Sequence, residues 1–283
     1  MINDFSNDLC IVIVIYNSNI EDSTTFKSLA SALEFASLHS VKMVIYDNSA
    51  DSQTINQQNY PEYDITYIHD ATNPGVSKAY NVAARIGTDL RKKWLLLTDQ
   101  DTTFPLNTFT AYADATIEYA DQVMFVPILN SLSGIYSPCL YHFNRGSAWP
   151  DPQPGLYSFK NKSMLNSGIL IKINAFNSIN GYDEKVKLYF SDFNFVDRLK
   201  IKYDKFVVIN LICHHSLSDL ITTDVEPSLR RFKYYCEGAF FSAITYKAAI
   251  WLFFTVLLRA IKLSFRYKDF RFVKTFMTTY LTS

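Results

Sequence analysis

Four apolar runs recur in the first hundred residues, and each ends on polar or acidic side chains. LCIVIVIYN (9–17) and VKMVIYDNS (41–49) are near-continuous and β-branched, ITYIHD (65–70) is shorter, and KWLLLTD (93–99) completes the set. Between them, SLASALEFASLHS (28–40) and SKAYNVAARIGTDL (77–90) space their apolar residues as helices do. Strands that do not alternate are buried on both faces. Their alternation with helices therefore predicts an α/β fold: a mostly parallel, Rossmann-like sheet flanked by helices.

Beyond Pro105 the pattern predicts a helix to about residue 120 and a strand at QVMFVPIL (122–129). A Gly/Pro/Ser-rich stretch (130–155) then reads as irregular loop or short antiparallel strands. MLNSGILIKINAF and KFVVINLICHHS read as further strands, flanking LYFSDFNFVDRLKIK, which is helical at its end. No internal repeat or low-complexity tract is present.

Ligands of such sheets gather outside the carboxyl ends of the strands. Those ends read Tyr16-Asn17, Asp47-Asn48 and Asp99-Gln100-Asp101, so three strands deliver carboxylates and amides to one rim. Asp99 and Asp101 suit a hard cation, Mg²⁺ or Mn²⁺, completed by phosphate oxygens, once the chain turns at Gln100. Alternatively, Asp101 or Thr103 caps a helix begun by Pro105. Asp47 either accepts hydrogen bonds from a nucleobase or ribose, or closes an Asx-turn with Asn48 and Ser49. NPGVSKAYN (73–81) offers a turn at Pro74-Gly75 running into a helix, with Asn73, Lys78 and Asn81 lining one side; a helix N-terminus with a Lys beside it favours phosphate, although Lys78 also reads as a solvated helix residue. Asp192 follows an aromatic-rich segment that would raise its pKa toward that of a general base; the alternative is a helix N-cap, with Arg198 paired on the surface. His214 and His215 end a strand, as structural residues or as ligands.

Composition adds an asymmetry. From Ser228 onward ten Lys/Arg face only Glu237 and Asp269, a charge of +8, so the rest of the neutral chain carries −8. The boundary expected from this separates a main α/β domain (1–225) from a basic, aromatic helical tail (226–283). In AAIWLFFTVLLRAIKLSFRYKDFRFVKTF (248–276) about a dozen apolar residues precede Arg259, short of the roughly 20 needed to span a bilayer. The tail therefore reads as an amphipathic helix on an anionic membrane surface, or else as a packing seam for a second copy of the chain. Aromatics make up 16% of the chain, which fits flat ligands, sugars or a membrane edge. The four cysteines are far apart without a CxxC pair, which argues against a disulfide or zinc framework and for a reducing cytoplasm. No basic n-region precedes the first apolar run, so no signal peptide is expected. Nucleic acid is an unsuitable partner, because the basic residues lie among Phe and Leu.

Taken together, VIVIYN, VIYDNS, NPGVSKAYN, LLLTDQD, NSGILI, GYDE and FSDFNFVDRL resemble the inverting nucleotide-sugar glycosyltransferases of family 2, with the type A fold, over residues 9 to 220. Among these the chain is similar to bacterial rhamnosyltransferase-like enzymes of surface polysaccharide assembly. The resemblance implies that Tyr16, Asn17 and Asp47 hold the nucleoside of a UDP- or dTDP-linked sugar, and that Asn73, Gly75 and Lys78 shape the donor pocket. It places Asp99 at the ribose or the metal, Asp101 at the metal, and His214 or His215 beside it. Asp192 becomes the base, with Ser191 and Asn194 standing where the family carries acidic residues. It also implies a lipid-linked saccharide acceptor for O-antigen or capsule, at the cytoplasmic face of the inner membrane. The competing readings are a sugar-nucleotide-binding protein without turnover, which Ser191 and Asn194 favour, and a nucleotidyltransferase, which would need a Gly-rich basic loop that IYNSNIEDS lacks.

Overall fold

The computed structural model describes residues 2–132, 134–215 and 224–281. The strands are β1 (Leu9–Ile15), β2 (Val41–Asp47), β3 (Tyr63–His69), β4 (Trp94–Asp99), β5 (Thr102–Thr103), β6 (Met124–Ser131) and β7 (Gly134–Ser137). They continue as β8 (Cys139–His142), β9 (Arg145–Ser147), β10 (Gly155–Ser158), β11 (Lys162–Ser163), β12 (Ile169–Lys172) and β13 (Lys205–His215). The helices are α1 (Ile2–Asn7), α2 (Thr24–Phe35), α3 (Val76–Asp89), α4 (Thr108–Glu118), α5 (Ile173–Ser178) and α6 (Ser191–Leu199). The tail holds α7 (Val225–Phe241), α8 (Tyr246–Tyr267) and α9 (Arg271–Thr275).

The main sheet runs β10-β13-β6-β12-β4-β1-β2-β3. Neighbours from β3 to β4 are parallel, with Val12 opposite Val44 on one side and Leu97 on the other. Every residue of β1 and β2 is buried, which is why their sequences do not alternate. β12 enters antiparallel between β4 and β6. Only four residues of MLNSGILIKINAF form this strand, because the segment turns at Asn166–Gly168 and continues as α5. Gly168 has φ 84°, and a Cβ there would lie 2.4 Å from Cγ of Pro127, so this turn needs glycine. The 130–155 stretch forms short antiparallel strands, some of them in a second sheet ordered β11-β8-β9.

Two hydrophobic clusters fill the faces of the main sheet; one gathers Ile11, Ile13, Leu96 and Phe125, the other Val12, Val44, Leu97 and Ile171. A third belongs to the tail, where Phe232, Cys236, Leu252, Val256, Phe272 and Phe276 pack together. All four cysteines are reduced and buried.

One tail expectation needs correction. α8 continues unbroken past Arg259 and Lys262, so it is long and apolar enough, by length and composition, to cross a membrane (mean hydropathy 1.7). The shorter estimate stopped at the first cation. Arg259, within the helix, stacks on Tyr235 of α7 at 4.2 Å.

Candidate functional site at the carboxyl ends of the sheet

β1 and β4 are neighbours at the point where strand order reverses, and their carboxyl ends open onto the rim. The chain turns at Gln100–Asp101, as the paired carboxylates require. Gln100 ties the two strand ends together, accepting from Tyr16 N–H (2.8 Å) and donating to its carbonyl (3.3 Å). Asn17, at φ 51°, donates its N–H to Ser49 Oγ (2.9 Å), and Tyr16 projects half-exposed.

Asp47 is fully buried. Its carboxylate accepts from Ser49 N–H (2.9 Å), Gln53 Nε2 (2.7 Å) and the Tyr67 hydroxyl (2.8 Å). Burial pushes its pKa up, but the bonds from Ser49, Gln53 and Tyr67 outweigh that and hold it below the ordinary value. The Asx-turn reading is therefore realised, and Asp47 acts on the rim through the loop it anchors.

Asp99 Oδ1 accepts from the Tyr80 hydroxyl (2.8 Å), and the Asp99 N–H meets Ser167 Oγ (3.3 Å). Asp101 does not cap α4, whose N-cap is Asn107. It faces His215 instead, with Nδ1 to Oδ1 at 3.4 Å. The pairing of β13 with β5 makes this meeting, setting His215 opposite Thr102, and Thr102 Oγ1 lies 2.7 Å from the same Nδ1. His214 is exposed, on the other face of the strand, so of the two histidines it is His215 that faces Asp101. The CHHSLSD motif from Ser216 onward lies outside the described residues. Burial pushes the Asp101 carboxyl up to about 6; His215 opposes the shift and Asp99 reinforces it.

Asp192 lies in the first turn of α6 and accepts from Phe193 N–H (2.8 Å). It is not the N-cap, a position held by Phe190 at φ 69°. Burial pushes its carboxyl up to about 7, against the Phe193 N–H and with the help of the Asp99 charge. Asn194 Oδ1 accepts from Arg198 Nε (3.0 Å), whose Nη1 donates to the Ile179 carbonyl (2.9 Å), so Arg198 is held inside rather than paired on the surface. The Ser191 hydroxyl donates to the Leu188 carbonyl (2.8 Å).

The NPGVSK turn packs against GYDEKVK rather than standing open. A Cβ on Gly75 (φ 93°) would lie 2.2 Å from the Lys187 carbonyl oxygen, and Lys78 pairs with Glu184 at 3.1 Å. Asn73 adopts φ 48° in the turn before it. The structure thus gathers Tyr16, Asn17, Asp99, Asp101, His215 and Asp192 at the rim, with Asp47 beneath it and Asn73, Gly75 and Lys78 at its flank.

Sequence reasoning missed Gln100, Tyr80 and Tyr136. Gln100 lay between the two noted aspartates, and Tyr80 inside the quoted AYN. Tyr136 packs its ring 5.7 Å from that of His215, and its buried hydroxyl has no hydrogen-bond partner. No signal short of the fold marks it.

Among the described residues no group of three or more His, Cys, Asp and Glu is placed to hold a metal ion by itself. Asp101 and His215 face each other, with His215 Nδ1 also held by Thr102 Oγ1, and the Asp99 charge bears on Asp101; the set holds oxygen and nitrogen donors and a second carboxylate. That donor set fits a divalent ion completed by diphosphate oxygens and does not fit a closed protein cage.

No protein-family model matches the sequence, and no curated protein does. Solved structures do. GalNAc-T7 with UDP, GalNAc and Mn²⁺ aligns at a TM-score of 0.57 and 14% identity, over 81% of this chain and 47% of that one. TarS of S. aureus aligns at 0.53 and 14%, over 97% and 55%. TarS 1–349 in complex with UDP aligns at 0.50 and 17%, over 85% and 68%. The chain spans about half the length of the first two. At these identities the likeness establishes the fold, which is the type A fold of glycosyltransferases.

Proposed function

We propose that this protein is an inverting glycosyltransferase that moves a sugar from a UDP- or dTDP-linked donor to a hydroxyl of a saccharide. The observation carrying this reading is Asp192, a carboxyl with its pKa pushed up to about 7 and within electrostatic reach of Asp99 at the open end of the sheet. Near neutral pH it can be ionised and still basic enough to take a proton. The acceptor hydroxyl gives its proton to Asp192, its oxygen bonds to the anomeric carbon, and the nucleoside diphosphate leaves from the opposite face with the bonding pair. Configuration inverts.

Tyr16, Asn17 and the loop that Asp47 anchors would receive the nucleoside, while Asn73, Gly75 and Lys78 border the donor pocket. Asp101 and His215, with Asp99, would hold Mg²⁺ or Mn²⁺; when bound, the ion neutralises charge on the departing diphosphate. Tyr80 fixes the orientation of Asp99. Ser191 and Asn194 are spent on local hydrogen bonds, so their replacement of acidic residues leaves the proposed base in place.

More finely, we assign the acceptor to lipid-linked saccharides of bacterial surface polysaccharide assembly, with rhamnose as the sugar to test first, and the location to the cytoplasmic face of the inner membrane. The family resemblance supports the first part. The tail supports the second: α8 packs its Ala248, Leu252, Val256, Ala260 stripe inward and exposes Tyr246, Ile250, Phe254, Leu258 and Phe265 on the other side, near Lys262 and Arg266. Incubation with UDP- and dTDP-sugars plus Mn²⁺ tests the reaction. Slow donor hydrolysis that depends on Asp192 is expected; the absence of both binding and hydrolysis across the panel would contradict the reading.

A further inference from the structure

A cleft of about 340 Å³ lies between the β8–β9 hairpin, α6 and the first turns of α8, within the roughly 300–1,000 Å³ of small-molecule sites. We propose that this cleft is a saccharide subsite that seats the acceptor, an inference that rests on the glycosyl-transfer reading above.

The lining has the chemistry of sugar recognition. Phe143 and Trp251 meet at 4.5 Å between centroids with planes 50° apart, yet remain 60% and 38% exposed. They form an aromatic corner whose faces are left for something else to cover; the C–H faces of a pyranose fit them, as flat apolar surfaces edged by hydroxyls do. Around the corner stand groups that pair with hydroxyls. Asn144 Nδ2 lies 3.4 Å from the Tyr141 hydroxyl, and that hydroxyl donates to Asp197 Oδ2 (3.1 Å). Lys247 lines the opposite wall and is exposed.

The hairpin holds Phe143 there at a conformational cost. Phe143 and Asn144 have φ 52° and 56°, the left-handed pair of a type I′ turn. Asn and Gly suit such positions, whereas a bulky ring at positive φ is strained. A sequence selected for hairpin stability alone would place Gly or Asn at 143.

One lining residue, Tyr141, links the cleft to the helix that carries the proposed base. The Tyr141 ring packs on Phe193 at 4.9 Å, next in sequence to Asp192. The Asp192 charge also bears on the Tyr141 hydroxyl, which puts this wall of the cleft within electrostatic range of the proposed base. The groove beyond, lined by Phe240, Ile250, Phe253 and Phe254, is by contrast apolar.

Saturation-transfer NMR on the full chain in detergent micelles tests this, using a panel of soluble di- and trisaccharides of hexoses, 6-deoxyhexoses and N-acetylhexosamines, with calorimetry of UDP and Mn²⁺ in parallel. At least one saccharide should saturate the wild type and bind about tenfold or more weakly to Trp251→Ala and Phe143→Gly, with UDP affinity unchanged. Phe143→Gly relaxes the turn, and unchanged UDP affinity on the same sample shows that the fold is kept. The proposal is overturned if both variants bind as the wild type does, or if no saccharide binds while UDP does. If the wild type binds neither UDP nor any saccharide, the glycosyl-transfer reading falls and this one falls with it.

Discussion

A side-chain carbon on Gly238 would lie 2.2 Å from the carbonyl oxygen of Tyr189, so α7 is seated directly on the segment that leads into Asp192. The Tyr235 ring packs on Phe190 at 4.8 Å and on Tyr189 at 5.6 Å from the same helix face. The basic tail and the proposed catalytic turn are thus in direct contact.

A first prediction follows from this contact. In an open helix, Gly→Ala stabilises by roughly 1 kcal/mol. At Gly238 the sign should reverse, because backbone must move to admit the methyl group, with overpacking costs of about 1–3 kcal/mol. Gly238→Ala should lower the denaturation midpoint and slow turnover while UDP affinity persists. A gain in stability would show that the seat is loose.

Asp101 and His215 make a second case. Asp101→Ala should abolish Mn²⁺-dependent UDP binding, and His215→Ala should weaken it on the order of tenfold. Since the Asp101 carboxyl must lose its proton to bind a metal ion, wild-type affinity should rise as pH increases through about 6. Calorimetric titration of UDP with Mn²⁺ at several pH values reads both; unchanged affinity in Asp101→Ala would remove the metal role.

Asp192 should oppose its own environment. Its folded pKa, about 7, is raised from 3.8, so the folded state binds this proton more tightly than the unfolded chain does. Wild-type stability should then fall as pH rises between those values. Asp192→Asn keeps the Phe193 hydrogen bond without the charge, so it should be more stable than the wild type at pH 8 and nearly equal to it at pH 4. Thermal melts at the two pH values decide this; a variant destabilised equally at both would mean that the carboxylate is already well solvated or paired.

The tail carries a fourth prediction. Each cation near an anionic surface contributes about 1 kcal/mol, decaying within a Debye length of roughly 8–10 Å. The full chain should co-sediment with anionic vesicles, bind neutral ones less well, and release in high salt. Equal binding to both would leave only the exposed apolar face of α8 (Ile250, Phe254, Leu258 and Phe265) to account for attachment. No binding to either would favour a packing seam between two copies of the chain.

The parts of the fold that repeat locally were legible in the sequence. β1, β2 and β4 announce themselves through unbroken apolar runs, and their ends delivered Asp99 and Asp101 to one rim with Asp47 beneath it. What escaped depends on long-range pairing. His215 reaches Asp101 only because β13 pairs with β5, across 113 residues between Thr102 and His215. The burial of Asp47 depends on Tyr67 and Gln53, and neither residue type signals that role. α8 runs past its first cation because Arg259 and Lys262 are themselves good helix formers, and the partner of Arg259, Tyr235, lies on another helix.

The central claim is that Asp192 is the base. Its most direct test is the turnover of Asp192→Asn beside the wild type, with UDP affinity measured on the same samples. The account predicts intact UDP binding, a turnover lower by on the order of 10²-fold or more, and loss of the wild type's rise in rate as pH passes about 7. Transfer by the variant at the wild-type rate, with the same pH profile, would contradict it.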